Sequence, residues 1–230
     1  MNFVKEVKIV KLRRNLVEQI YDILRERITN LKIKPGTRIK IQKLAEEFDV
    51  SPTPTKDALK KLTEKGLITA KSGRGYYVVS LCPEKINEIY DLRKMFESYS
   101  LKTAIQNISA KKLYELKRGM ESLREEMNEE EKGIRFYQLD QILHLEIIRN
   151  CNNEVLEELY SQIYDLVKIS QHLYTTTEES LEEHIKIVKA LLKKDLPEAR
   201  EALEAHIDHS RDKAIRASQS TTSPGEWQLP

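Results

Sequence analysis

The chain has 230 residues, 40% of them hydrophobic and 33% charged, with a formal net charge of +2. That composition excludes a disordered polymer, and no apolar run approaches the roughly 18 residues a membrane-spanning helix needs. Two cysteines, Cys82 and Cys151, exclude a disulfide framework, and the N-terminus "MNFVKEVKIVKLRR" lacks the apolar core of a signal peptide, so the expected location is cytoplasmic.

The charge is unevenly spread. Residues 1–80 carry 18 Lys and Arg against 9 Asp and Glu, a net +9, while residues 81–230 carry 21 against 28, a net −7. A basic front end on an acidic body suits a polyanionic partner. Leu16, Ile20, Leu24, Ile28 and Leu31 recur at helical spacing, which predicts a first helix over 12–31. A turn at "KPG" (34–36) leads to a short helix, "IQKLAEEF" (41–48), which "DVSPTP" breaks. Ser51 or Thr53 can cap the following helix, a proline is tolerated in its first turn, and Gly66 ends it. "LITA" and "YYVVSL", joined by "KSGRG", read as a β-hairpin.

Helix, turn, short helix, break, helix and hairpin is the order of a winged helix-turn-helix, expected over 1–80. The helix after the break would enter the major groove with its N-terminal residues nearest the bases. Those are Ser51, Thr53, Thr55 and Lys56, with Lys60 one turn on. Gly73 and Gly75 permit a tight wing, and Arg74 at its tip can reach a groove or a phosphate. The plainer alternative is a small α+β domain with a solvated basic face.

From Pro83 on, the pattern is all-helical, and the second domain is expected over 83–216 as a helical bundle. Helices are expected near 83–108, 109–131, 133–150, 153–173, 177–194 and 196–216, with breaks at Ser109, Gly133, "NN" (152–153), "TTT" (175–177) and "DLP" (195–197). The polar stretch 217–230 reads as a disordered tail. The fold class is thus mainly α, a winged helix-turn-helix followed by an all-α helical bundle.

Within "QLDQILHLEI" (138–147), Asp140 and His144 share the apolar face of one helix. His184 sits among Leu181, Ile185, Val188 and Leu191, and His206 among Ala202, Leu203 and Ile207. Taken alone, each is a hydrogen-bonded core histidine, and Asp140–His144 an i,i+4 pair. Taken together, three imidazoles and a carboxylate facing inward from three helices are the donor set of a bundle-core metal site. The expected ion is a divalent transition metal, Zn, Ni, Mn or Fe, and the lack of cysteine ligands speaks against a closed structural zinc.

The stretch "IKPGTRIKIQKLAEEFDVSPTPTKDALKKLTEKGLITAKSGRGYYVV" resembles the DNA-binding domain of the GntR family of bacterial and archaeal repressors. It departs from that family's pattern in having Pro52 after the serine and Lys56 where a second arginine is common, and Lys lacks the bidentate fork of Arg. The Asp-x3-His of Asp140 and His144, followed by His184 and His206, resembles the FCD effector domain of the FadR-type branch, as does "DLRKMFE" (91–97). The resemblance implies a repressor that senses a small organic acid, bound in part through the metal. Arg93 is then either a second clamp on that effector or an i,i+4 partner of Glu97. It implies a homodimer on a two-fold operator. The alternatives are a regulator that senses the metal itself or an acyl ligand, and a metalloenzyme.

Overall fold

The structure, a computed structural model, describes residues 3–126, 128–174 and 178–220, with side chains from Leu16 onward. Two compact units meet in sequence at Leu81 and Cys82.

In the first unit, α1 (Phe3–Thr29) begins nine residues earlier than its apolar repeat suggests and stops before Leu31, whose φ is +54°. Ile20, Leu24 and Ile28 are at most 1% exposed, so their four-residue spacing forms one buried stripe. It packs on α3. The α2 helix (Ile41–Glu47) and α3 (Pro52–Glu64) are joined by a turn in which Asp49 takes φ +50°, a region Asp tolerates better than most residues. Ser51 is the N-cap residue, with Pro52 at N1, but its hydroxyl makes no cap bond. Thr53, the other expected cap, lies inside the helix. The helix ends as a Schellman motif: Gly66 (φ +73°) donates to the Thr63 carbonyl and Leu67 to that of Leu62, and both leucines are fully buried.

The hairpin forms from β2 (Ile68–Lys71) and β3 (Gly75–Val78), with Lys71 opposite Gly75. A third strand, β1 (Arg38–Ile39), pairs antiparallel with β3, so the sheet order is β1-β3-β2 and the wing is three-stranded.

The second unit is all helical. Its elements are α4 (Pro83–Asn107), α5 (Ala110–Ser122) with a 3-10 turn at Leu123–Glu125, α6 (Glu129–Arg149), α7 (Glu154–Gln171), α8 (Glu178–Lys193) and α9 (Leu196–Ser220). The α4 helix packs against α6, α7 and α9, which makes it the spine of the bundle. The expected break at Gly133 falls instead at Asn128. Its side-chain Oδ1 accepts the N–H groups of Glu130 (3.1 Å) and Glu131 (3.2 Å), and Gly133 lies inside α6. Three glutamates in the first turn of α6 complement the helix dipole. Residues 217–220, expected to be tail, continue α9; the "TTT" break and residues 221–230 lie outside the described residues.

Candidate functional site

The α6 helix carries Asp140 and His144 one turn apart, α8 carries His184 and α9 carries His206. All four are buried, each at most 4% exposed, and one ligand atom from each lies within 4.8 Å of the others. Asp140 Oδ1 is 2.7 Å from His184 Nε2 and 3.5 Å from His144 Nε2, while Asp140 Oδ2 accepts from Gln171 Nε2 at 2.8 Å.

The outward nitrogens are anchored. His144 Nδ1 meets Glu97 Oε2 at 2.5 Å, His184 Nδ1 donates to the Ser180 carbonyl at 2.6 Å, and His206 Nδ1 meets Glu183 Oε2 at 2.9 Å. Each Nε2 is thereby turned toward Asp140 or its neighbours. His144 Nε2 is buried with no hydrogen-bond partner among the described residues. Among the described residues, His206 Nε2 has only a long contact, 3.4 Å, with Ser210 Oγ. Rings pack closely, with His184 and His206 centroids 4.2 Å apart and Phe136 edge-on to His184 at 4.9 Å. Anchored Nδ1 atoms and converging Nε2 atoms are how proteins hold metal-binding imidazoles. The residues therefore fit a divalent transition ion.

Electrostatics gives His206 and Asp140 the states a metal needs, whereas it favours a proton on His144 that an ion would have to displace. Burial and the nearby His184 and His144 push His206 well below the ordinary imidazole pKa, which keeps it neutral. Burial alone would raise Asp140, but His144 and His184 outweigh it and hold the carboxyl ionised, well below its usual range. Burial opposes charge on His144 too, yet Glu97 and Asp140 leave its pKa raised.

Glu97 is the hub behind the site. It is fully buried and takes Arg93 Nε and the Tyr160 hydroxyl on Oε1, both at 2.8 Å, besides His144 on Oε2. Burial works to raise its pKa, but His144 and Arg93 bring it down to about 2. Arg93 thus makes the i,i+4 pair with Glu97. It also keeps a spare donor, since its buried Nη1 has no hydrogen-bond partner among the described residues. A pocket opens beside the cluster, lined by Asp140, His184 and His206 together with Phe136, Tyr137, Tyr174 and the hydroxyls of Ser180 and Ser210.

In the first unit, Thr53, Lys56 and Lys60 are exposed and three and four residues apart, so they share the outer face of α3, with exposed Ser51 at its start. Thr55 does not share that face: it is fully buried, because 55, 58, 59 and 62 form the inward stripe with Ala58, Leu59 and Leu62. Its hydroxyl has no partner among the described residues. Gly73 (φ +67°) and Arg74 occupy the exposed tip of the wing. Sequence reasoning missed Arg38, exposed on β1 with its guanidinium against Gly75, because a two-residue strand leaves no periodic signal. It also missed Glu183, which holds His206 and exposed His209 together.

The family model described as "FCD domain" matches residues 88–209, and the model described as "Bacterial regulatory proteins, gntR family" matches residues 16–78. Among curated proteins, the HTH-type transcriptional regulator YdhC of Bacillus subtilis is 28% identical over 195 residues, covering 83% of this chain and 87% of its own length. The HTH-type transcriptional repressor RspR of Escherichia coli is 26% identical over 209 residues, covering 89% and 91%. Among solved structures, E. coli McbR/YncC aligns with a TM-score of 0.72 at 22% identity over 87% of this chain and 97% of that one. The Zn2+-bound FCD domain of TM0439 aligns with a TM-score of 0.53 at 24% identity over 60% and 96%. The curated relatives are transcription regulators, not enzymes. With both halves matched in order, the chain belongs to the gntR family of bacterial regulatory proteins, as a DNA-binding transcription regulator with an FCD domain behind its winged helix-turn-helix.

Proposed function

We propose that this regulator releases or grips its operator in response to a small organic acid held at a divalent metal in the FCD domain. The observation that carries the metal is His144 Nε2, buried 3.5 Å from Asp140 Oδ1 with no hydrogen-bond partner among the described residues, beside two further imidazoles whose outer nitrogens are all anchored. A buried polar atom left without a partner costs free energy, and an ion at that point removes the cost. The TM0439 FCD domain, solved with Zn2+, supports the same reading. Four protein ligands leave open positions on a six-coordinate ion, and such an ion supplies a Lewis-acid seat for a carboxylate oxygen. The hydroxyl-bearing Ser180 and Ser210 line the pocket beside the cluster and suit an anion, whereas Arg93, whose Nη1 has no hydrogen-bond partner among the described residues, does not line that pocket. Ser51, Thr53, Lys56, Lys60, Arg74 and Arg38 form the DNA-facing set, and the chain acts as a homodimer on a two-fold operator.

The test is elemental analysis of untagged protein, then a thermal-shift and DNA-binding screen of metal-loaded protein against mono-, di- and tricarboxylates. About one divalent transition ion per chain is expected, as is loss of both metal and carboxylate response in His184→Ala. Metal stabilises only the fold that binds it, so that variant also melts lower. Wild-type protein that takes up no metal on reconstitution defeats this reading.

A further inference from the structure

Gln171, the last residue of α7, is half-buried and lines the pocket beside the cluster. Its Nε2 donates to Asp140 Oδ2 at 2.8 Å. Asp140 is held ionised, and an ionised carboxylate only accepts. The amide must therefore turn its N–H end to Asp140 and keep Oε1 as its other end. Among the described residues, Oε1 has no hydrogen-bond partner. Gln171 thus fixes one oxygen of Asp140 and brings a carbonyl acceptor to the pocket wall.

The rest of the wall sets the charge a ligand can carry. It includes the Asp140 carboxylate and, among the described residues, no lysine or arginine. The nearest cations are engaged elsewhere. Arg93 is paired with Glu97, and Lys213 donates to Ser180 Oγ at 2.9 Å with Glu179 at 3.5 Å. The other polar groups are the hydroxyls of Ser180, Ser210 and Tyr174. A divalent ion balances one ligand carboxylate. A second carboxylate would lose its water beside Asp140 and the Gln171 carbonyl, with no cation to meet it, which is costly. A hydroxyl is neutral, and it can donate to Gln171 Oε1 while accepting from a wall hydroxyl.

We infer that the effector is a monocarboxylic acid carrying a hydroxyl group, and that Gln171 selects it, with Oε1 accepting from that hydroxyl while Nε2 holds Asp140 in place. The inference rests on the carboxylate reading above and adds the class of acid and the residue that selects it. Calorimetric titration of the full-length, metal-saturated chain compares matched acids: lactate with propionate, and 3-hydroxybutyrate with butyrate. Malonate and succinate test a second carboxylate. The hydroxy acids should bind tighter than their matched partners, and the dicarboxylates weakest. A ligand hydroxyl can also touch the ion, so the decisive quantity is the margin lost with the side chain, a coupling between the two groups. Gln171→Met should shrink the hydroxyl margin by about three- to tenfold, the worth of one hydrogen bond, and leave propionate affinity unchanged. It should also weaken metal binding in chelator competition, about tenfold, because Asp140 loses its support. Gln171→Lys keeps a donor for Asp140 but replaces the acceptor with a cation. It should lose the hydroxyl margin and gain affinity for malonate and succinate. Circular dichroism of both variants should match wild type. A hydroxyl margin that survives both variants overturns Gln171 as the selecting residue. Malonate or succinate binding the wild-type chain tighter than every monocarboxylate overturns the class of acid. A metal-saturated chain that binds none of these acids overturns the carboxylate reading itself, and this inference with it.

Discussion

Thr55 and Lys56 are neighbours in sequence with opposite fates. Lys56 stands on the outer face of α3, whereas Thr55 is sealed inside with a hydroxyl that has no partner among the described residues. Removing such a hydroxyl without changing shape relieves a desolvation penalty. Thr55→Val should therefore stabilise the first unit by about 1 kcal/mol in denaturant titration and leave DNA affinity unchanged. Lys56→Ala should leave stability alone and weaken operator binding more than binding to random DNA. Equal losses on both would make Lys56 a phosphate contact. Glu183 offers the matching test in the second unit. Its carboxylate orients His206 from behind, so Glu183→Gln should lower metal affinity about 10- to 100-fold while all four ligands remain, measured by competition with a chelator. The sequence carried the signal for Thr55, since 55, 58, 59 and 62 are helically spaced with three apolar residues. It carried none for Glu183, and for Glu97 only the i,i+4 pair with Arg93, because both serve histidines on other helices, 23 and 47 residues away.

Among the elements, those with long apolar repeats could be read directly. The α3 and α8 helices follow their stripes, and Gly66 ends α3 with both bonds of its Schellman motif. What escaped reading was decided by capping or by distant pairing. The β1 strand exists only because Arg38 and Ile39 meet Tyr77 and Tyr76 of β3, a partnership that no local pattern announces. Gly133 looked like a break because glycine weakens helices, by about 1 kcal/mol relative to alanine. The α6 helix runs through it because Asn128 satisfies two N–H groups at its start and the acidic first turn suits the dipole. Asn128→Ala should thus cost the second unit about 1 kcal/mol. Gly133→Ala, with open space around the new methyl, should gain a similar amount. Calorimetry on the metal-free chain reads both, and a neutral Asn128→Ala would show that the cap does not set the boundary.

At the scale of the whole molecule, the charge divides along the sequence: net +9 over residues 1–80 and net −7 over residues 81–230. Binding DNA through the basic unit releases counterions from the phosphates, so the logarithm of affinity should fall linearly with the logarithm of salt, with a slope near −0.9 per phosphate contacted. For about 6–10 contacts, affinity should drop roughly 10³- to 10⁵-fold between about 50 and 200 mM salt. The effector proposed for the FCD domain would act differently. It can change affinity only through a difference between its binding to the DNA-bound and the free states. The same carboxylate that alters operator binding must then bind the DNA complex and the free protein unequally, by the same factor. Fluorescence anisotropy across a salt series, with and without carboxylate, separates the two effects. The metal-loaded chain should show a carboxylate-dependent offset in affinity at each salt concentration. The chelated chain, and His206→Ala, should bind DNA with the same steep salt slope and show no offset. An offset that survives chelation would move the effector away from Asp140, His144, His184 and His206, and a flat salt response would remove the basic face of α3 from the DNA.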